Sequence, residues 1–212
     1  MIVNPPVEDY LYGLLPPSPA VLAEMEEQAR QRDIPIVGPL VARCLALLAS
    51  LAGARRVFEL GSAIGYSTLW WAGAVGEGGE VFYTDSSAAN AAEAQGYFRR
   101  AGLAGRIRVL QGEALAMLAA TPGEFDVVFV DLNKEQYGEA LRQALPRVRN
   151  GGLLVADNVL WRGLVAEKPA SPPDASTRSI SEFNRQLYGD ARLEPVILPL
   201  RDGVAVARKL RD

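Results

Sequence analysis

Residues 56–68 have the sequence RVFELGSAIGYST, an apolar run followed by two glycines four residues apart. A short apolar run that ends in a glycine turn is typical of a strand buried on both faces of a sheet. Gly61 lets the chain turn tightly and lets a ligand approach the backbone, and Gly65 opens a helix that we expect to run to about Val75. The stretch therefore predicts the strand, turn and helix that open an α/β fold.

Four more apolar runs repeat this pattern along the chain. They are short and almost wholly apolar, and segments with helical periodicity lie between them. We predict strands over Glu80–Thr84, Ile107–Gln111, Asp126–Asp131 and Leu153–Asp157, with helices over 87–101, 113–120 and 134–147. Because strands that alternate with helices are joined by right-handed crossovers, the pattern predicts a doubly wound parallel sheet with helices on both faces.

The C-terminal part of the chain has a different pattern. Two apolar runs, Leu193–Leu200 and Gly203–Leu210, flank the residues Arg201-Asp202-Gly203. An Asp-Gly pair between apolar runs is typical of a β-hairpin. The complete prediction is a seven-stranded sheet, mostly parallel, with a C-terminal antiparallel hairpin.

The segments outside this alternation are assigned from composition. We predict irregular structure over 1–20, an amphipathic helix over 20–32, a more apolar helix over 38–53 and a surface loop over 162–177. A chain of 212 residues is long enough for one α/β domain and too short for two. We therefore expect a single domain over 1–212, with a helical segment over 1–53 and the sheet core over 54–212.

Composition excludes several classes of function. The net charge of −3 offers no basic surface to nucleic acid or to an anionic membrane. The apolar runs, such as 45–54, are too short for a membrane-spanning helix, and the first residues lack the order of a signal peptide, so we expect a cytoplasmic protein. The sequence contains no histidine, which excludes a Ser-His-Asp triad, a His-zinc site and a histidine base.

Residues at the carboxyl ends of the first two predicted strands favour a nucleoside site. Ligands of open α/β sheets bind beyond the carboxyl ends of the strands, and Asp85 follows the second strand, where a carboxylate can accept both ribose hydroxyls. The spacing of Gly61 and Gly65 differs from the G-x-G-x-x-G fingerprint of dinucleotide sites. Taken singly, each glycine has a structural alternative and Asp85 has the alternative of a turn or helix cap, but the ordered set is a stronger signal.

The fourth and fifth predicted strands end in oxygen-bearing side chains. Adjacent parallel strands bring Asp131, Asp157 and Asn158 to one edge of the sheet. Two carboxylates and one amide carbonyl suit a hard cation such as Mg²⁺. Lys134 is a candidate general base, because a nearby divalent cation and partial burial both favour the neutral amine. The structural alternatives are a helix cap for Asp131 and a turn for Asn158.

Four motifs together resemble the catechol and caffeoyl-CoA O-methyltransferase family: ELGSAIGYSTL from Glu59, FDVVFVDLNKEQY from Phe125, ADNVLW from Ala156 and LRDG from Leu200. The similarity runs from about residue 34 to 210, and the combination is more specific than the first motif, which resembles motif I of class I methyltransferases. The resemblance implies a Rossmann-like fold, an S-adenosylmethionine-dependent enzyme and a homodimer. It also implies that the segment 1–53 contributes to the acceptor site and the dimer.

The resemblance also implies roles for individual residues. In the family, the residues that match Asp131, Asp157 and Asn158 bind the metal, and the residue that matches Lys134 is the base. The residues implied to contact the methyl donor are Glu59, Gly61, Ser67, Asp85, Glu113, Ala114 and Asp131.

This chain departs from the family pattern at three places. Leu132-Asn133 stands where the family usually has Ala-Asp, which changes the charge around the metal but removes no ligand. Glu113 replaces a commoner aspartate, which we expect to be tolerated. Arg201 replaces a commoner glycine, and we expect it only to decorate the hairpin.

The implied reaction is an in-line displacement at the methyl carbon of a sulfonium. A divalent metal chelates two neighbouring acceptor oxygens, Lys134 takes the proton, and S-adenosylhomocysteine leaves. Bidentate chelation favours a small aromatic acceptor with vicinal hydroxyl groups. Trp161 and Tyr137, with Tyr10 and Tyr12, are candidate acceptor walls, for which ordinary packing is the alternative.

Two other functions fit parts of the pattern. A nicotinamide oxidoreductase has a similar fold, but the dinucleotide glycine pattern and a Tyr-x-x-x-Lys pair are missing from the sequence. A catalytically silent relative would bind the nucleoside without turnover. A cofactor-binding assay separates the first alternative and a turnover assay separates the second.

Overall fold

The fold is a mixed sheet covered by helices, seen in a computed structural model that describes residues 2–167 and 173–211. The strands are β1 Arg56–Leu60, β2 Glu80–Asp85, β3 Ile107–Gln111, β4 Phe125–Val130, β5 Val148–Ala156, β6 Leu193–Leu198 and β7 Val204–Lys209. They form one seven-stranded sheet in the order β3-β2-β1-β4-β5-β7-β6. Strands β1 to β5 are parallel, and β7 runs antiparallel to β5 and β6. The predicted α/β sheet with its C-terminal hairpin is confirmed.

Helices cover both faces of this sheet. They are α1 Pro5–Gly13, α2 Ala20–Arg32, α3 Gly38–Leu51, α4 Tyr66–Ala74, α5 Ala88–Arg100, α6 Ala114–Ala120, α7 Tyr137–Ala144 and α8 Ala175–Gly189. Because side chains alternate along a strand, Val57 packs into one core with α2 to α5, and Phe58 packs into a second core with α6 to α8. Within the described ranges, no helix has both the length and the apolar character that crossing a bilayer requires.

The register of the sheet brings the carboxyl ends of the central strands to one edge. Leu60 pairs with Val130, and Val130 pairs with Ala156. The ladder continues one residue further, because the backbone N–H of Asp131 donates to Leu60 at 2.9 Å and that of Asp157 donates to Val130 at 3.1 Å. The strand order reverses between β1 and β4, which is where ligands of doubly wound sheets bind.

Two segment predictions were wrong, both where proline is frequent. The predicted irregular segment 1–20 contains helix α1, which begins at Pro5. Proline is compatible with the first turn of a helix, because the N–H that it lacks has no partner there.

The predicted loop over 162–177 is the second correction. A 3-10 helix runs over Trp161–Ala166, residues 168–172 of the prediction lie outside the described residues, and α8 begins within its last residues. The Asp174 carboxylate caps α8 by accepting from the backbone N–H of Thr177 at 2.8 Å. The prediction missed this helix because a capping residue is also a common loop residue.

Candidate active site

A cavity of about 620 Å³ opens at the carboxyl edge of the five parallel strands. Such a volume is in the usual range for small-molecule sites. It is lined by residues that follow each of these strands, together with Pro35, Ile36 and Val37 from the chain before α3. The predicted site residues that line it are Gly61, Ser67, Asp85, Glu113, Ala114, Asp131, Lys134, Asp157, Asn158 and Trp161.

The glycine turn after β1 leaves no room for a side chain. Gly61 has φ +85°, and a Cβ atom there would overlap the carbonyl oxygen of Asp131 and approach its carbonyl carbon to 3.1 Å. Gly65 has φ +83°, and a Cβ atom there would lie 2.6 Å from the ring of Phe98. Both positions therefore require glycine, and the turn exposes backbone to the cavity.

Glu59 lies beneath the cavity, and its side chain is fully buried. Thr68 donates a hydrogen bond to Oε2, whereas buried Oε1 has no partner among the described residues. Burial raises the pKa of Glu59 to about 7, only partly opposed by the hydroxyls of Ser67 and Thr68. A buried carboxylate oxygen without a partner suits a donor group of a ligand.

Glu59 should make the unfolding free energy of the ligand-free protein depend on pH. A folded pKa of about 7, above the unfolded value near 4.5, means that stability falls as pH rises from about 4.5 to 7. Glu59→Gln removes this dependence, so its stability relative to the wild type should increase by about 2 kcal/mol between pH 5 and pH 8. Denaturant titrations at the two pH values measure this difference, and an equal pH dependence in both proteins would contradict it.

The strand ends of β2 and β3 carry the next two predicted positions. The Asp85 Oδ1 atom accepts hydrogen bonds from the Ser87 backbone N–H at 2.8 Å and from Asn90 Nδ2 at 3.2 Å. Asp85 thus holds the turn before α5, whose N-cap is Ser87, and also lines the cavity. Glu113 is exposed at the beginning of α6, and Ala114 is buried beside it.

Lys134 joins two of the three predicted metal ligands. Its Nζ atom lies 3.3 Å from Asp131 Oδ1 and 2.8 Å from Asn158 Oδ1. The same atom donates to Tyr137 Oη at 2.8 Å and contacts the Leu132 carbonyl oxygen at 3.2 Å. The ammonium group of Lys134 therefore contacts oxygen atoms that follow both β4 and β5.

The two carboxylates of this region lack sufficient compensating charge. Asp157 is 1% exposed, and its Oδ1 atom has no hydrogen-bond partner within residues 2–167 and 173–211. Burial, followed by repulsion from Asp131, raises the pKa of Asp157 to about 7. Burial also raises the pKa of Asp131, against the attraction of Lys134 and Arg201. An additional cation would stabilise both carboxylates in their charged form.

The donor set restricts the kind of metal that fits. Within the described part of the chain, no group of three or more His, Cys, Asp or Glu side chains could hold a metal ion. Asp131, Asp157 and Asn158 offer two carboxylates and one amide, which fits a hard cation that completes its shell with water or substrate oxygens.

The two predicted aromatic walls have different positions. Trp161 lines the cavity, and Lys134 Nζ lies 5.8 Å from its ring centroid. Tyr137 is fully buried, does not line this cavity, and donates from Oη to the Asp157 carbonyl at 2.8 Å. This position favours the packing alternative for Tyr137 over an acceptor wall. Its hydroxyl supports Lys134 from below, because helical spacing turns a residue at i+3 back toward residue i.

Arg201 is the cavity residue whose position sequence reasoning missed. Its backbone has φ +53°, and its guanidinium Nη1 donates to the carbonyl of Ile36 at 2.5 Å. Both residues line the cavity. The sequence carried one signal, which is that an arginine stands where the family pattern has a commoner glycine. Nothing in the neighbouring residues indicated that its side chain reaches the cavity.

Positive φ angles of residues other than glycine are concentrated around this cavity. Ala63, Asn158, Trp161 and Arg201 line it and have φ between +44° and +58°, and Arg162 adjoins them at +58°. In the described residues, the one other example is Asp33, at the end of α2. Such conformations cost of order 1 kcal/mol or more each and are common at functional sites.

Comparisons with known proteins find relatives of a single enzymatic class. A family model described as O-methyltransferase matches residues 17–210. A catechol O-methyltransferase from Niastella koreensis is 31% identical, with 95% of each chain covered. A caffeoyl-CoA O-methyltransferase from Mesembryanthemum crystallinum is 32% identical, covering 78% of this chain and 69% of that protein. The crystal structure of the O-methyltransferase TomG from Streptomyces achromogenes, in complex with SAM, is 29% identical with a TM-score of 0.87, covering 97% of this chain and 96% of that one.

Proposed function

The chain belongs to the O-methyltransferase family, and we propose that it transfers a methyl group from S-adenosylmethionine to a hydroxyl of a small aromatic acceptor with vicinal hydroxyls. The observation that carries this proposal is the contact of Lys134 with Asp131 and Asn158 in the cavity that also contains the glycine turn. The proposed donor site, cation site and base would thereby share one cavity.

The half of the cavity beside β1, β2 and β3 fits the methyl donor. Asp85 lines this half and would accept the ribose hydroxyls, and the Glu113-Ala114 backbone at the beginning of α6 would contact the adenine edge. Gly61 permits close approach of the donor to the backbone. Ser67, Asp131 and the buried Glu59 beneath them offer oxygens to the amino-acid end of the donor.

The half beside β4 and β5 fits a divalent cation, for which we propose Mg²⁺. Asp131, Asp157 and Asn158 would hold it, and the unpartnered Oδ1 atom of Asp157 supports this assignment. When bound, the metal would orient two neighbouring acceptor oxygens and make one hydroxyl more acidic. It would also take over from the Lys134 ammonium in neutralising these side chains.

Lys134 would act as the general base in this proposal. The neutral amine removes the proton from one acceptor hydroxyl, and the resulting oxygen nucleophile attacks the methyl carbon. The new O–C bond forms as the C–S bond breaks, and its electron pair returns to sulfur, so that S-adenosylhomocysteine leaves. Tyr137 positions Lys134, and the Trp161 ring forms a wall against which an aromatic acceptor can stack.

Removing divalent metal should lower methyl transfer by about 100-fold, because the cation both orients and acidifies the acceptor hydroxyl. The assay follows labelled methyl from S-adenosylmethionine to catechol, caffeate, caffeoyl-CoA and 8-hydroxyquinoline, first with Mg²⁺ and then with EDTA. Excess Mg²⁺ should restore the rate. Activity that is unaffected by EDTA would contradict the metal role of Asp131, Asp157 and Asn158 without contradicting methyl transfer.

Membership of an O-methyltransferase family argues against the nicotinamide oxidoreductase alternative. Turnover with any acceptor of the panel excludes the catalytically silent alternative. The homodimer and the cytoplasmic location stay predictions, because a single chain displays neither. For the dimer, the exposure of Leu47 and Leu51 on α3, at 58% and 77%, leaves an apolar face open on the segment where the interface was predicted.

A further inference from the structure

The turn that carries Arg201 is hydrogen-bonded to the segment after β5, on the side of the cavity for which a metal site is proposed. The Gly203 N–H donates to the Leu200 carbonyl at 2.9 Å, which closes a β-turn with Arg201 inside it. The backbone N–H groups of Val159 and Leu160 donate to the carbonyls of Gly203 and Asp202 at 3.0 and 2.9 Å. Because a Cβ atom at Gly203 would overlap Leu160, the turn packs directly against the segment that carries Asn158 and Trp161.

Arg201 has an unfavourable backbone conformation in this turn. Its φ of +53° is in the left-handed region, which glycine adopts freely and arginine rarely adopts. Hairpin turns of this kind favour glycine at such a position. Its side chain lines the cavity, as do Asn158 and Trp161 from the segment on which the turn packs.

The guanidinium group of Arg201 attracts Asp131 and Asp157 electrostatically but makes no close ion pair with a carboxylate in the described residues 2–167 and 173–211. Its one hydrogen bond to the described residues, to the Ile36 carbonyl, uses only Nη1. Arg201 is exposed and lines the cavity, and its Nε and Nη2 atoms form no hydrogen bond with the described residues. A guanidinium fork with free donors matches the two oxygens of a carboxylate.

We propose that Arg201 recognises a carboxylate on the acceptor, so that the preferred substrates are vicinal dihydroxy aromatics with an acidic group. The proposal rests on the proposed function for the identity of the acceptor. The position of the turn favours this source of the carboxylate over the methyl donor, because the turn packs on the segment after β5, whereas the donor half lies at β1 to β3.

The test compares 3,4-dihydroxybenzoate with its neutral analogue 3,4-dihydroxybenzyl alcohol. The ratio of kcat/KM for the acid to kcat/KM for the alcohol should fall by about 10- to 100-fold in Arg201→Gly and Arg201→Gln, the range expected for a lost charge-assisted hydrogen bond. Arg99→Gln removes the same charge from the exposed end of α5 and should leave the ratio unchanged. Arg201→Gly should melt at or above the wild-type temperature, because glycine adopts the turn without strain.

Two outcomes would overturn the assignment. An unchanged ratio of kcat/KM between the acid and the alcohol in both Arg201 variants would show that the guanidinium does not recognise the carboxylate of the acceptor. A KM for S-adenosylmethionine that rises equally with both acceptors would place the guanidinium on the donor carboxylate instead. Isothermal titration of both diols into protein saturated with S-adenosylhomocysteine repeats the comparison without turnover. An acid preference in binding that Arg201→Gly abolishes, in a protein without turnover, would contradict the proposed function but support the recognition.

Discussion

Lys134→Met is expected to lower kcat/KM for methyl transfer by about a thousandfold, within the range that general acid–base catalysis contributes. Methionine has nearly the same length and flexibility as lysine but cannot accept a proton. The variant therefore removes the proposed base while it keeps the packing around Trp161 and Tyr137.

The structural cost of this substitution must be separated from its chemical cost. In Lys134→Met, Tyr137 Oη and Asn158 Oδ1 each lose a donor at 2.8 Å, and an unpaired polar group costs about 1–3 kcal/mol of stability. Assays should therefore be run well below the melting temperature, with S-adenosylhomocysteine binding as the test of an intact donor site.

Lys134→Arg is the matched control for this prediction. Arginine keeps the positive charge near Asp131 and can donate to Asn158, but it does not lose its proton in proteins. It should restore stability and leave activity close to that of Lys134→Met. A Lys134→Arg variant with more than about one tenth of the wild-type rate would contradict the base assignment, because the general-base contribution is at least about 100-fold.

Gly61→Ala is expected to destabilise the protein by about 3 kcal/mol or more and to abolish binding of S-adenosylhomocysteine. The added Cβ atom meets the backbone carbonyl of Asp131, which is held in the ladder by its own N–H to Leu60 at 2.9 Å. A flexible side chain could move away, but two adjacent central strands cannot separate without loss of their hydrogen bonds. The φ of +85° adds strain for any residue with a Cβ atom.

Gly96→Ala is the matched control, since it makes the same change in α5. A Cβ atom at residue 96 would have no neighbour within 4 Å, and alanine is favoured over glycine in a helix by about 0.5–1 kcal/mol. We expect Gly96→Ala to be neutral or stabilising. Denaturant titration of both variants measures the difference, and equal stabilities would show that the turn after β1 relaxes more easily than its backbone contacts indicate.

Much of the fold could be predicted because its signals are local. Strand β3 has the predicted bounds, and β1 coincides with the mostly apolar run Arg56–Leu60 in the stretch that predicted it. Such a run is typical of a central strand with both faces covered, as β1 is from Val57 to Leu60. The hairpin of β6 and β7 was predicted from one Asp-Gly pair. Helices α1 and α8 were missed, because their proline and capping residues occur in loops as often as at helix ends.

The convergence of the predicted site residues could also be anticipated, because the carboxyl ends of parallel strands must share one edge. This rule predicted that the groups after β4 and β5 meet, and Lys134 indeed joins Asp131 and Asn158. It could not predict the separate positions of Glu59 and Tyr137, which are buried beneath the cavity rather than exposed to it. The position of a residue at a strand end determines at which edge of the sheet it lies. Its rotamer and its neighbours determine whether the side chain is buried or lines the cavity.

The sequence by itself determined the alternation of strands β1 to β5 with the helices between them, the C-terminal hairpin, the glycine turn, the all-oxygen set of side chains and the family. Each of these depends on residue types at short spacing along the chain. Only the tertiary structure decided that Tyr137 supports Lys134 and that Arg201 enters the cavity beside Ile36, 165 residues away in sequence. Contacts of that kind depend on how distant segments pack, because neither partner carries a local signal of the other.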